Sequence, residues 1–151
     1  MMDIYEYLEM DHKKVSQLFK QFKKAPSKRK LDIARFIADE LLVHAKSEQE
    51  TLYKFLEEHS ENKGEALHGW KEHEEIEKLI KTFDHQTLPE NTLIIQVEKL
   101  EKLVRHHVIE EEGVLFRRAR KVLSAEQSYA IKELMHDLKH QLLIKRLKEV
   151  F

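Results

Sequence analysis

The chain holds 151 residues, room for one domain with a real core, and its 27 basic against 28 acidic residues leave a formal charge of −1 that offers little attraction to phosphate backbones or anionic lipid. With no cysteine there is no disulfide, thiolate metal site or cysteine nucleophile, so any bound metal must take nitrogen and oxygen ligands. Three glycines, two prolines and 36% charged residues supply too little punctuation for a many-stranded sheet, so an all-α, single-domain chain over 1–151 is expected.

Five helical stretches are predicted, separated by breaks at Ala25-Pro26-Ser27, at Ser60 to Gly64, at Asp84 to Asn91 and, more weakly, at Ser124. The first, about 3 to 24, carries Ile4, Leu8, Val15, Leu18, Phe19 and Phe22 on one face, with His12 inside that face. The second, about 28 to 59, places Ile33, Ile37, Leu41, Leu52 and Phe55 on its stripe, interrupted by His44 and Glu48; Ser27 is its expected N-cap and Gly64 follows its end. The third, about 65 to 84, runs Ala66, Trp70, Ile76, Ile80 and Phe83, with His73 one turn beyond Trp70. The fourth, about 91 to 122, runs Leu93, Val97, Leu100, Val104, Leu115 and Phe116, with His107 and Glu111 in register. The fifth, about 124 to 151, opens on the capping pattern Ser124-x-x-Gln127, carries Leu134, Met135, Leu138, Leu142 and Leu147, and is expected to pack outside a four-helix bundle of up-down-up-down order.

One pattern occurs twice. Asp11-His12-x-x-Val15-x-x-Leu18-Phe19 matches Glu72-His73-x-x-Ile76-x-x-Leu79-Ile80, and His44-x-x-x-Glu48-x-x-x-Leu52-Tyr53 matches His107-x-x-x-Glu111-x-x-x-Leu115-Phe116. His12 precedes His44 by 32 positions and His73 precedes His107 by 34, so each half is a helix pair that brings one lone His and one His-x-x-x-Glu to a shared level. A pseudo-two-fold bundle is expected.

Residues i and i+4 of an α-helix lie on nearly one face about 6 Å apart along the axis, so a His and a Glu so spaced can serve one metal pair. Glu48 and Glu111 sit mid-stripe, where an unpaired buried carboxylate costs several kcal/mol or takes up a proton. A cation satisfies both. Four imidazoles and two carboxylates suit a di-iron or di-manganese centre, and give about four ligands per ion where iron commonly takes five or six, which leaves open positions for a small molecule.

These motifs resemble the hemerythrin-like, or HHE, cation-binding domain, over roughly residues 3 to 120. The resemblance implies a non-haem centre of two iron ions, oxo- and carboxylate-bridged, with His12, His44, His73 and His107 as terminal ligands and Glu48 and Glu111 bridging. It also implies a small diatomic or peroxide ligand, since members bind dioxygen, sense it or iron, or handle nitric oxide and peroxide. The oxygen-carrying hemerythrins have a second His one turn along the third helix, where this chain has Glu77. In ligand count it is similar to the di-iron domain of the iron-sulfur-cluster repair proteins, in which acidic positions matching Glu40 and Glu72 line the route to the metals; their Cys-containing N-terminal domain has no counterpart here.

Other residues have plainer readings. Glu77 is expected to be solvated, and Glu40 either handles protons or pairs with a Lys at the core edge. His106 points about 100° away from His107, toward the surface. His136 and His140 form an exposed i, i+4 pair, and Trp70, Phe83 and Phe116 read as core or pocket walls. The run Arg117-Arg118-x-Arg120-Lys121 favours the helix dipole at the end of the fourth helix. No apolar run approaches the roughly 20 residues that span a bilayer, and the start MMDIYEYLEMDHKK lacks a basic segment followed by an apolar one, so a cytoplasmic protein is expected, with neither membrane nor nucleic acid as partner. The functional expectation is a protein that binds or senses dioxygen, nitric oxide or iron, with a redox protein among its expected partners. The alternatives are a di-iron enzyme acting on nitric oxide, peroxide or dioxygen or in iron-sulfur cluster repair, with Glu40 or Glu72 moving protons, and a bundle that the metal merely staples.

Overall fold

Asp3 starts the first helix with a reciprocal cap: its carboxylate accepts from the Glu6 amide at 2.9 Å while the Glu6 carboxylate accepts from the Asp3 amide at 3.4 Å. In the computed structural model, which describes residues 1–59, 63–84 and 87–150 apart from the side chains of 63 and 147–150, this helix is α1, Ile4–Lys24. It ends on Lys23 and Lys24, cations at the negative end of the dipole, before Pro26. Pro26, rather than Ser27, occupies the cap position of α2 (Ser27–Glu48) and makes no side-chain cap bond. Ser27 therefore becomes the first helical residue.

Beyond Glu48 the backbone widens into a π-helical turn, Gln49–Tyr53, before α3 (Lys54–His59). α4 spans Lys63–Lys81 and α5 spans Glu90–Glu110. A second π turn, Glu111–Leu115, leads into α6 (Phe116–Val122), and α7 covers Ala125–Val150. Gly64, expected to close the second stretch, lies in the first turn of α4, and the third stretch leaves helix at Lys81 rather than 84. The link at 60–62 lies outside the described residues. Ser124 and Gln127 cap α7 reciprocally, at 2.8 and 3.1 Å.

The described residues are helical throughout their ordered elements and contain no strand. α1 packs along α2 and α4 along α5, while α7 packs on α1, α2 and the first π turn. Of the stripe expected on α7, Met135 is buried but Leu134 is 61% exposed; Ile131 and Lys139 face inward instead, and the side chain of Leu147 lies outside the described residues. Among the described residues no helix is long and apolar enough to cross a membrane.

The core divides in two. Val15, Phe19, Ile37, Leu41, Ile80, Val97 and Leu100 belong to one apolar cluster; Ile4, Leu8, Leu52, Tyr53, Leu115, Phe116 and Met135 belong to the other. In each of the four bundle segments the chain passes from one cluster to the other through a buried polar level: His12 lies between Leu8 and Val15, His44 and Glu48 between Leu41 and Leu52, His73 between Ala66 and Ile76, and His107 and Glu111 between Val104 and Leu115.

Candidate metal centre

All six predicted residues meet in that polar level. Glu48, His73, His107 and Glu111 offer one donor atom each within 4.8 Å of one another, and so do His12, His44 and Glu111, so Glu111 is common to both groups. Its Oε1 lies 3.2 Å from His12 Nε2 and its Oε2 lies 3.2 Å from His107 Nε2. Glu48 Oε1 is 3.2 Å from His73 Nε2 and 3.7 Å from His44 Nε2. The His73 and His107 Nε2 atoms are 3.1 Å apart. Every imidazole thus turns Nε2 inward.

The outward nitrogens are held. His44 Nδ1 donates to Asp11 at 2.9 Å, His107 Nδ1 to Glu72 at 2.8 Å and His12 Nδ1 to Glu112 at 2.8 Å, while His73 Nδ1 lies 2.9 Å from the side-chain amide of Gln49. A carboxylate on Nδ1 fixes the tautomer, leaves Nε2 as the free lone pair and raises its basicity, which is the orientation that metal-ligating histidines use. The repeat runs through this outer layer too: the acid directly before the lone His of each half, Asp11 or Glu72, holds the second His of the same half.

The first π turn follows directly on Glu48 and the second begins at Glu111. On a continuing α-helix, a residue five positions on is turned by about 140°. In a turn closed i to i+5 it returns to the same face, as short π segments at functional sites do. Tyr53, five after Glu48, accordingly stacks on His73 with centroids 5.2 Å apart and donates its hydroxyl to Glu111. Its counterpart Phe116 has no hydroxyl and packs edge-on against Tyr5 at 5.2 Å. Gly69 makes the place for the Tyr53 ring, since a Cβ there would lie 2.6 Å from its hydroxyl.

The cluster is short of partners and charge-frustrated. His12 Nε2, His44 Nε2, both oxygens of Glu48 and Oε1 of Glu111 are buried without a hydrogen bond. Burial and the neighbouring Glu111 charge push Glu48 well above the usual carboxylate range. Burial acts the same way on Glu111, but His107 and His12 outweigh it and hold it well below. Burial likewise opposes charge on His107, yet Glu111 and Glu72 raise it to about 10. Burial and the His107 charge push His73 well below the ordinary imidazole value. Protons therefore balance this level where no cation does. Four imidazole nitrogens and two carboxylates around orphaned lone pairs are donors suited to iron, manganese or zinc, and they fit a cation bound among them.

The remaining candidates fall elsewhere. Glu40 is buried but taken by Lys14 at 3.2 Å, the core-edge pairing, and it is absent from the converging groups. Glu77 lies 3.6 Å from Lys81 with a side chain 54% exposed. His106 is exposed, as are His136 and His140. The sequence assigns no function to Asp11, Gln49, Tyr53 or Glu112; Asp11 and Tyr53 do lie within the repeat, as the partners of Glu72 and Phe116.

A cavity of about 270 Å³ reaches this level from outside, between Tyr53, Glu111 and His107 at its inner end and His68, Glu72 and Glu110 at its mouth. A family model, the hemerythrin HHE cation binding domain, matches residues 3–119. A curated DNA nickase of Nostoc sp. is 28% identical over 128 residues, which cover 84% of this chain and 36% of that protein. No solved structure matches the chain significantly. The family model spans the whole polar level and the helices that carry it, and the chain belongs to the hemerythrin HHE cation-binding family.

Proposed function

We propose that the chain is a non-haem di-iron protein, with His12, His44, Glu48, His73, His107 and Glu111 as ligands, that binds or senses dioxygen, nitric oxide or iron. The observation that carries this reading is the set of five buried metal-donor atoms without a hydrogen bond, on four of those six residues. A polar group buried without a partner costs about 1 to 3 kcal/mol, and a charged one more, so such a concentration is stable only with a cation or with protons in its place. Two convergent groups that share Glu111 support two ions with Glu111 between them, and Glu48, 3.2 and 3.7 Å from imidazoles of the two halves, supports the second bridge.

Two iron ions held there would supply reversible redox change and open positions for a diatomic ligand. The protein's own part is positional. Asp11, Glu72 and Glu112 keep protons on the outer nitrogens of His44, His107 and His12, while the Gln49 side-chain amide nitrogen, 2.9 Å from His73 Nδ1, holds the fourth ring in place. Apolar clusters on both sides keep bulk water from the level, and the cavity past Tyr53 gives a small molecule its approach. Up-down-up-down order of the four bundle segments belongs to the same proposal. Nucleic acid is not a proposed partner: the net charge is −1, and the matched part of the Nostoc nickase is 36% of it.

The second reading, an enzyme acting on peroxide, nitric oxide or dioxygen, is favoured by one observation. The Tyr53 hydroxyl holds a proton against Glu111 at the inner end of an open cavity, where a proton donor to a reacting molecule belongs. Exposing the reduced, iron-loaded protein to nitric oxide or dioxygen tests both. A visible-spectrum change that reverses when the gas is removed, and that is absent from Glu111→Gln, is expected of the binding role. Sustained consumption that falls in Tyr53→Phe is expected of the enzyme, and a spectrum indifferent to either gas contradicts both.

A further inference from the structure

The buried motif has an outer echo. His68 and Glu72 lie i, i+4 on α4 and His106 and Glu110 lie i, i+4 on α5, so His-x-x-x-Glu recurs on both helices, with the second copy displaced by one residue from His107 and Glu111. That displacement turns it by about 100°, from the core to the mouth of the cavity. Glu110 Oε2 is 2.7 Å from His68 Nε2 and Glu110 Oε1 is 3.1 Å from His106 Nε2. Glu72 Oε2 is 3.6 Å from the first imidazole and 3.5 Å from the second. One donor each of His68, Glu72 and Glu110 fall within 4.8 Å of one another.

We propose that His68, Glu72 and Glu110, with His106 beside the Glu110 carboxylate, form a second, solvent-facing site for a divalent transition-metal cation at the mouth of the cavity. Two ligands at about 2.1 Å from one ion, seen at octahedral or tetrahedral angles, stand about 3.0 to 3.4 Å apart, and the observed separations bracket that range. Two imidazoles with two carboxylates favour zinc, iron or manganese over the all-oxygen sites of calcium. Half-exposed imidazoles and a solvent-facing carboxylate leave positions for water and let an ion arrive from solution. Glu72 is the side chain common to both levels: its Oε2 faces this site while its Oε1 accepts from His107 Nδ1. An ion at the mouth therefore sits one side chain away from the buried level, on the path by which the cavity opens to solvent.

Titrating zinc into the metal-loaded protein by calorimetry tests the site. One further zinc per chain is expected, with affinity weakened at least roughly tenfold in His68→Ala/His106→Ala and unchanged in His136→Ala/His140→Ala, the other exposed pair. The double variant leaves Glu72 and the buried ligands in place, so its iron content stays that of the wild type. No additional zinc, or zinc binding that ignores His68 and His106, overturns the proposal. The outcome stands apart from the di-iron reading: a protein that holds no iron at all still shows or lacks the zinc that depends on His68 and His106.

Discussion

Glu48→Gln keeps the shape of the side chain and removes its charge, which separates its two roles. In the metal-free protein Glu48 is pushed toward its neutral form, so the amide is expected to leave the thermal midpoint unchanged or higher. Metal content should fall by at least one ion per chain, read by elemental analysis. Proton competition acts in the same direction. The His107 imidazole, raised to about 10, must lose its proton before Nε2 can bind an ion, so metal affinity is expected to fall as pH is lowered, with protons released on binding. In the metal-free chain the sign reverses: a raised imidazole stabilises the fold fully below its ordinary 6.5 and loses that contribution as pH rises through about 10. Glycines give a second contrast. Replacing a helical Gly by Ala ordinarily stabilises by up to about 1 kcal/mol, as expected at Gly113, where a Cβ meets nothing within 4 Å. At Gly69 the same change drives a methyl into the Tyr53 ring and should destabilise by about 1 to 3 kcal/mol, measured by denaturant unfolding. The polar residues at i, i+4 within apolar stripes were legible because a helix puts them on the core face. Glu112 on His12 was not, since that contact joins residues 100 positions apart.

At the scale of elements, the π turns and α7 depart from what helical periodicity foretells. A period of 3.6 residues turns Tyr53 away from the face of Glu48; the wider turn brings it back onto His73 and Glu111. Helix limits were legible to within a few residues from Pro26, Pro89 and the Ser124 cap, but nothing in an apolar stripe signals a π turn. In α7 the sequence pattern emphasised leucines, whereas the inward residue of consequence is Lys139, 8% exposed, whose ammonium donates to Asp11. Burial works to raise the pKa of Asp11, but the His44 hydrogen bond and charge, with Lys139, lower it to about 2. A lowered carboxyl stabilises the fold above its ordinary 3.8 and loses that contribution as pH falls through about 2. Lys139→Met takes the cation from a buried carboxylate and should destabilise the fold by about 2 to 3 kcal/mol at neutral pH, followed by urea unfolding. α7, which lies wholly beyond the matched residues 3–119, thereby reaches the support of His44.

For the whole molecule, the buried polar level divides the apolar core into two clusters and joins the helix pair α1 and α2 to the pair α4 and α5. A cation that binds the folded chain and not the unfolded one adds about 2.7 kcal/mol at a hundred times its dissociation constant. Chelation should then lower the thermal midpoint by about 5 to 10 °C, by calorimetry, and an unchanged midpoint would remove the metal as a brace between the halves. The all-helical class and the position of this level were legible in the repeat, because both halves carry the same spacing; the cavity and its mouth were not, since they arise where α4 meets α5. The di-iron centre is tested most directly by the metal content of the intact protein, measured by elemental analysis after expression in iron-replete medium, beside Glu111→Gln. Two irons per chain in the wild type, with loss in the variant whose carboxylate is common to both groups, is the predicted result. A fully folded wild-type chain without iron or manganese would contradict it.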